Sequence, residues 1–391
     1  DVIGNCEPLQ RAWARENGLP WNIAVTGTMK NRRLLHVLKA QIESAKPDIL
    51  YFQNLNWPGP QFLREVKPYV KLIVGQIAYG LNPYLDLSPY DLILTSFPHF
   101  VDRFRQMGGS SEYFRIGFGK KVLDRLGNTE RCYPAVFVGT FSNINGPHGK
   151  GTRLLEYVSS RAPIHFWGQG IEGLSHDSPV HRTFHGEAWG IDMYRALTQG
   201  RIVLNRHAGW SENYANNMRL YEATGVGAML LTDYKDNLAE LFEIGKELVA
   251  YRSKYECAEL VQYYLEHEEE RADIAAAGQR RTLNEHTYYH RMLELEQIVD
   301  QYLRHPQKTT ARRYPVQNPF EPKTRLEISQ QSVNLVKSII RRTPFANQAR
   351  FIWRRLHQQS TDTYQLITRS DVSSVLKLGW QNPGIPEKQR E

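Results

Sequence analysis

The sequence predicts an α/β protein of two doubly wound parallel sheets facing each other across a cleft, followed by a basic helical tail. Three observations carry this. Short apolar, β-rich runs such as Ile49–Phe52, Leu92–Thr95 and 135–138 alternate with helix-length amphipathic segments, the pattern of strands covered on both faces. The 391 residues exceed one ordinary domain and suit two, with 41% apolar and 11% aromatic side chains to fill both cores. The texture then changes at Pro306, where Pro306, Pro315, Pro319 and Pro322 make an irregular connector. The division that follows is 1–130, 131–304 and 305–391, with the first domain opening in mid-pattern and expected to lack its start.

In the first domain a helical stretch at 32–44 leads through Lys46-Pro47-Asp48 into the strand 49–52. A helix near 60–66 precedes a strand at 70–74, and another strand follows at 92–95. In parallel sheets ligands bind at the carboxyl ends of strands. Those ends, Gln53-Asn54-Leu55-Asn56, Gly75-Gln76-Ile77-Ala78 and Ser96-Phe97-Pro98-His99, are polar, small or turn-forming, as a cleft lip requires. The second domain reads as strands at 135–138, 164–167, 183–185, 202–205, 228–232 and 248–251, with helices at 153–160, 192–197, 215–223 and 238–242 between them. Three helices near 254–267, 270–285 and 288–304 close it.

Composition narrows the function. The net charge is +8, but residues 304–391 hold 16 Lys/Arg against 6 Asp/Glu, so the remainder sums to −2 and the basic balance belongs to the tail. The folded core shows no aromatic-basic interleaving, and nucleic acid is a poor partner for it. No apolar run approaches the roughly 18–20 residues of a membrane span. Cys6, Cys132 and Cys257 are far apart and odd in number, giving neither a disulfide framework nor metal spacing, so a reduced, cytoplasmic setting is expected.

The most informative segment runs from Asn213 to Asp233. A polar loop containing Asn216 and Asn217 opens a helix, Gly225 and Gly227 end it, and a buried strand stops at Asp233. Free amides at a helix start favour a phosphate. Arg219 and Glu222 share a helix face. Arg219 can meet diphosphate oxygens as a fork and Glu222 can accept both ribose hydroxyls. An ordinary intrahelical ion pair is the bland alternative. Thr224 lies on the same turn. A second candidate group sits at the same sheet edge: Gly139 and Thr140 end one strand, Lys150 and Arg153 follow, Gly168 ends the next strand, and Asn205 ends a third. His207, His99 and Asp86 are the candidate acid/base groups. No His/Asp/Glu cluster shows metal spacing, so no metal is expected.

The run Asn216-Asn217-Met218-Arg219-Leu220-Tyr221-Glu222-Ala223-Thr224-Gly225, followed by Leu230-Leu231-Thr232-Asp233, resembles the CgeB-like (spore maturation protein) branch of GT-B glycosyltransferases. Ala276-Gly278-Gln279-Arg280, Glu285-His286-Thr287-Tyr288 and, upstream, Glu7-Pro8-Leu9-Gln10, Lys46-Pro47-Asp48, Gly75-Gln76 and Tyr90-Asp91 extend the likeness over about 1–300. The resemblance implies two Rossmann-like domains, a nucleoside-diphosphate sugar such as a UDP-sugar on the second, an acceptor on the first, and no metal or other cofactor. It places Glu222 on the ribose and Arg219 beside the diphosphate, where a cation and helix amides take the charge developing on the leaving group. One position departs from the pattern. Many retaining members carry a second glutamate eight residues earlier, where this chain has Tyr214.

Three functions compete on these residues: transfer of a sugar, isomerisation of a nucleotide sugar, and non-catalytic binding on a retained fold. The basic tail, with Val333, Val336, Ile339 and Ile340 beside Arg341, Arg342, Arg354 and Arg355, has two readings. Packing on the protein is preferred over peripheral contact with anionic lipid.

Overall fold

The computed structural model describes residues 4, 6–21, 30–80, 85–127, 129–142 and 148–305. They lie within one compact unit, 1–321. The tail residues 326–357, with the lipid-contact expectation, lie outside the described residues.

The first lobe carries helices α1 (Glu7–Glu16), α2 (Lys30–Ala45), α3 (Pro60–Val66) and α4 (Pro98–Gln106), and α5 (Lys121–Leu126) follows and packs on the core of the second lobe. Its sheet is wholly parallel, β1 (Ile49–Phe52), β2 (Leu72–Ile77), β3 (Leu92–Thr95) and β4 (Ser111–Tyr113), in that spatial order. The strands are apolar on both sides because helices cover both faces. On one face Ile73 and Ile93 meet Phe62, Phe100 and Phe104.

The second lobe is a parallel sheet of β5 (Tyr133–Thr140), β6 (Ile164–Gln169), β7 (Gly200–Leu204), β8 (Met229–Asp233) and β9 (Val249–Tyr251), ordered β6-β5-β7-β8-β9. Helices α6 (Gly149–Ser159), α7 (Ile191–Gln199), α8 (Arg219–Gly225), α9 (Leu238–Leu241), α10 (Lys254–Glu266) and α11 (Glu268–Glu285) follow the strands and close the lobe. The chain starts in the middle of this sheet, moves to one edge at β6, and resumes on the other side at β7. The winding therefore reverses between β5 and β7, the position where open α/β sheets form a ligand crevice at their carboxyl ends.

The last helix, α12 (Tyr288–Arg304), leaves the second lobe and packs on the first. Its Val299 and Tyr302 close over Leu72, Val74, Leu92, Leu94 and Phe114, and the Tyr302 hydroxyl donates to Glu112 Oε1 at 2.9 Å. Among the described residues no helix is long and apolar enough to cross a membrane.

Several expectations need correction. The strand expected at 183–185 is a 3-10 turn, Pro179–Thr183, with one bridge between Phe166 and Phe184. The strand expected at 70–74 begins only at Leu72, because Val70 is tied back to Lys67 by the turn containing Pro68. The helix expected at 215–223 starts four residues later, at Arg219, because Asn237 Oδ1 accepts the Ala215 amide at 2.6 Å and holds the preceding segment as a loop. Helices α1, α4 and α5 and the strand β4 are additional to the expected elements, although α1 and α4 are amphipathic enough to be legible.

Candidate functional site

The crevice between β5 and β7 is built from backbone ends and a few charged side chains. The β5 and β6 termini lie so close that a β-carbon on Gly168 would fall 1.7 Å from the Gly139 carbonyl oxygen, and Gly168 adopts φ of +142°, which only glycine takes readily. Arg206, directly after β7, spans the reversal point. Its Nη2 donates to the Thr140 carbonyl at 2.7 Å and its Nη1 lies 3.3 Å from His148 Nδ1. Burial, despite the nearby Tyr251 and Asp233, pushes its pKa down.

Arg219 and Glu222 form the ion pair that their spacing allows, 2.8 Å from Nη1 to Oε2, with side chains only 14% and 6% exposed. Arg219 Nη2 also donates to the Val138 carbonyl at 3.0 Å, which fixes the first turn of α8 against the end of β5. The Tyr194 phenol on α7 faces the same carboxylate; burial first, and then the Glu222 charge, raise its pKa. The pair is buried and tied to the sheet edge, which distinguishes it from an ion pair on a solvated helix face.

A polar lattice holds the loop between β7 and α8. Asn205 Nδ2 donates to Thr232 Oγ1 at 2.9 Å, Asn217 Nδ2 donates to Asn205 Oδ1 at 2.8 Å, and the Tyr251 hydroxyl donates to the Asn205 carbonyl at 2.8 Å. Asn216 is 7% exposed, and its Nδ2 meets no acceptor among the described residues. Beside it Asp233 Oδ1 accepts from the His207 amide at 3.0 Å and lies 2.7 Å from His207 Nδ1. Burial works against the charge on Asp233, but His207 and Lys235 outweigh it and hold the carboxyl below its ordinary range. That contact engages Nδ1, and Nε2 is buried and unpartnered among the described residues.

The other candidates separate from this group. Lys150 and Arg153 project to solvent from α6. Thr224 faces away from the crevice, fully buried, with its hydroxyl 2.6 Å from Thr282 Oγ1 on α11. In the first lobe Asp86 is committed to structure: it pairs with Arg64 and accepts the Ser88 amide at 3.1 Å. Burial would raise its pKa, yet the hydrogen bonds from Ser88 and Arg64 keep the carboxyl below the usual range. A carboxylate so stabilised is a poor base.

His99 lies where the lobes meet. At the start of α4, it stacks on Tyr214 of the second lobe, ring centroids 4.8 Å apart and planes 14° apart. Burial, assisted by Arg103 and opposed by Glu212, pushes its pKa down to about 4, so the ring is neutral near pH 7. Arg103 pairs with Glu212 at 2.8 Å across the same boundary. Tyr214, the residue in place of the second glutamate, therefore contributes to the junction between lobes. Sequence reasoning missed Arg206, Tyr194 and the role of Asp233. A charged residue at each strand end signalled the first and last, whereas nothing in the sequence signals Tyr194.

Residues 151–297 match a family of proteins described as glycosyl transferase-like. A comparison with curated protein sequences finds no match. Among solved structures the chain is similar to sucrose-phosphate synthase from Thermosynechococcus elongatus, at 13% identity over 70% of this chain and 78% of that one, with a TM-score of 0.52. It is similar to Staphylococcus aureus TarM, solved with UDP, at 11% identity over 69% of this chain and 59% of that one, with a TM-score of 0.50. Anabaena HepE, solved with UDP-glucose, gives 13% identity over 74% and 88%, with a TM-score of 0.48. The chain has the GT-B fold of glycosyltransferases and carries a glycosyl transferase-like domain in its second lobe.

Proposed function

We propose that the protein is a glycosyltransferase, of the hexosyl-transferring kind, that moves a sugar from a nucleoside-diphosphate sugar to an acceptor held by the first lobe. The buried Arg219–Glu222 pair carries this reading, because it stands beside the reversal point of the second sheet and inside the segment that matches the glycosyl transferase-like family. In this reading Arg219 meets the diphosphate, Glu222 takes the ribose hydroxyls, and Arg206 adds a cation at the same edge. TarM, which shares the fold, holds UDP, and a uridine nucleotide is the preferred donor. With guanidinium groups taking the charge of the leaving diphosphate, the reaction proceeds without a metal. The CgeB-like branch remains the preferred placement within the fold.

Asp86 is engaged with Arg64, so the acid/base role passes to His207 and His99. His207 has the better orientation, held through Nδ1 by Asp233 with Nε2 unpartnered. His99 is neutral and stands on the acceptor lobe.

Incubating the full chain with UDP-, GDP- and ADP-sugars tests the reading. Slow release of a free nucleoside diphosphate is the expected result, lost in Arg219→Ala. An isomerised sugar would replace transfer by epimerisation, binding without turnover would make the protein a sugar-nucleotide scaffold, and no binding of any nucleotide would end the reading.

A further inference from the structure

Two kinds of cation stand out on the second lobe. Arg195, Arg201, Arg219, Arg271 and Arg281 each meet a carboxylate. Arg161, Arg252 and Lys254 meet none among the described residues and lie on tyrosine rings instead. The Arg161 guanidinium stands 3.7 Å from the Tyr157 ring centroid, and the Arg252 guanidinium 3.5 Å from that of Tyr234. The Lys254 ammonium lies 4.6 Å from Tyr157 and 5.2 Å from Tyr255. A ring fixes a cation without neutralising it. Such a cation keeps its charge for a ligand and has already lost part of its side-chain freedom, so meeting an anion costs less ordering.

These cations share one surface. Helices α6 and α10 pack side by side on the face of the second sheet opposite α8. The Tyr157 and Tyr255 rings meet edge to face at 5.1 Å, and Gln262 Nε2 donates to the Arg161 carbonyl at 2.8 Å. Arg153, one turn before Tyr157 on the same row of α6, projects to solvent and adds a further charge. The row runs from the carboxyl edge of the sheet down to Arg161. At its upper end, where β8 and β9 finish, lies a cavity of about 400 Å³ whose wall includes Leu154, Tyr234, Tyr251, Arg252 and Lys254. The carboxylate in that wall, Asp233, is already engaged by His207 and Lys235. Ser253 Oγ accepts the Glu256 amide and Glu256 Oε2 accepts the Arg252 amide, so the start of α10 is capped and the attraction for an anion lies in the side chains.

We propose that this surface docks an acidic glycan chain, outside the crevice of Arg219 and Glu222. Arg153, Arg161, Arg252 and Lys254 meet its anionic groups, and the Tyr255 ring, 57% exposed, meets the apolar face of a sugar. A lipid surface fits less well, because α6 and α10 expose no Leu, Ile, Met, Phe or Trp side chain to anchor it. The choice of a glycan over another polyanion rests on the transferase reading; the surface itself stands on its geometry.

The test is calorimetric titration of the full chain with a size-defined oligogalacturonate, with neutral maltodextrin and with poly(U), and separately with UDP. The oligogalacturonate is expected to bind at least about tenfold more tightly than maltodextrin. Arg161→Gln/Lys254→Gln should weaken it about tenfold, and Tyr157→Leu, which keeps every charge but removes the ring beneath two of them, about threefold. Lys254→Arg should retain binding, and UDP affinity should be unchanged in all three variants. An affinity that survives the double variant belongs elsewhere, as on the basic tail, and overturns the proposal, as does equal binding of maltodextrin. Poly(U) bound as tightly, and weakened as much by the double variant, overturns the glycan assignment. Failure of the transferase reading would appear in the UDP titration of the unaltered chain, so the two readings fail separately.

Discussion

The carboxyl edges of the two sheets are built differently. In the second lobe the polar side chains cross from strand to strand: Arg206 reaches β5, Asn205 reaches β8, and Arg219 reaches β5 from α8. In the first lobe the ties lie at the surface: Asn54 accepts from Tyr79 between the loops that follow β1 and β2, and Asp86 pairs with the exposed Arg64 and accepts the Ser88 amide. A lattice that spans strands is preorganised and binds a constant ligand at little ordering cost. An edge of exposed ties leaves its rim free to vary. The contrast accords with the proposed division, donor on the second lobe and acceptor on the first.

The largest effect should come from breaking the Arg219–Glu222 pair. Arg219→Ala leaves a buried carboxylate unpaired and should cost about 3 kcal/mol of stability and about a hundredfold in UDP affinity. The double change Arg219→Met/Glu222→Leu should restore most of the stability but none of the affinity, as read by urea denaturation and calorimetry. If both return, the pair is structural and the contrast between the edges collapses.

Acid lability should be nearly as large. His286 donates through Nε2 to the Leu241 carbonyl and accepts Arg291 Nη2 at Nδ1, and burial, with the adjacent Arg291 charge, lowers its pKa from 6.5 to about 4. The unfolded chain takes up this proton below pH 6.5 while the folded chain refuses it. Stability is therefore complete above that pH and lost as pH falls towards 4, by on the order of 3 kcal/mol. Melting curves at pH 7 and pH 5 should show the loss, and His286→Gln, which keeps one donor and one acceptor, should reduce it.

Two smaller effects sharpen the comparison. Asn205→Ala removes one bond each from the Asn217 amide and the Thr232 hydroxyl and should cost about 2 kcal/mol in urea, with a matching fall in UDP affinity. Asp86→Asn should cost about 1 kcal/mol and leave UDP affinity untouched, since its ties lie on the other lobe. A nucleotide effect from Asp86→Asn would show that the two edges are not independent.

The sheets were legible because buried parallel strands such as Met229–Asp233 are continuous apolar runs that need no partner to be recognised. The stretch Thr183-Phe184-His185 deceived because its residues favour strands, while Pro179 starts a turn just before them. Within the site, Arg219 and Glu222 could be paired by helical spacing alone. Arg206 with Thr140 and His207 with Asp233 are 66 and 26 residues apart, and only the strand order brings them together. Thr224 shows the complementary failure: it lies two residues beyond Glu222, and those two helical steps turn it to the opposite face, toward Thr282.

The buried Arg291 gives the molecule one more property. The chain passes between the halves twice, near 114–118 and near 285–288, and these passages are laced side by side, Phe118 N to His286 O at 2.8 Å and Tyr288 N to Phe118 O at 3.0 Å. Arg291 fastens both, donating to the Ile116 and Glu285 carbonyls at 3.2 and 2.8 Å. Two adjacent passages with one buried arginine between them gather the covalent links between the halves into a single seam.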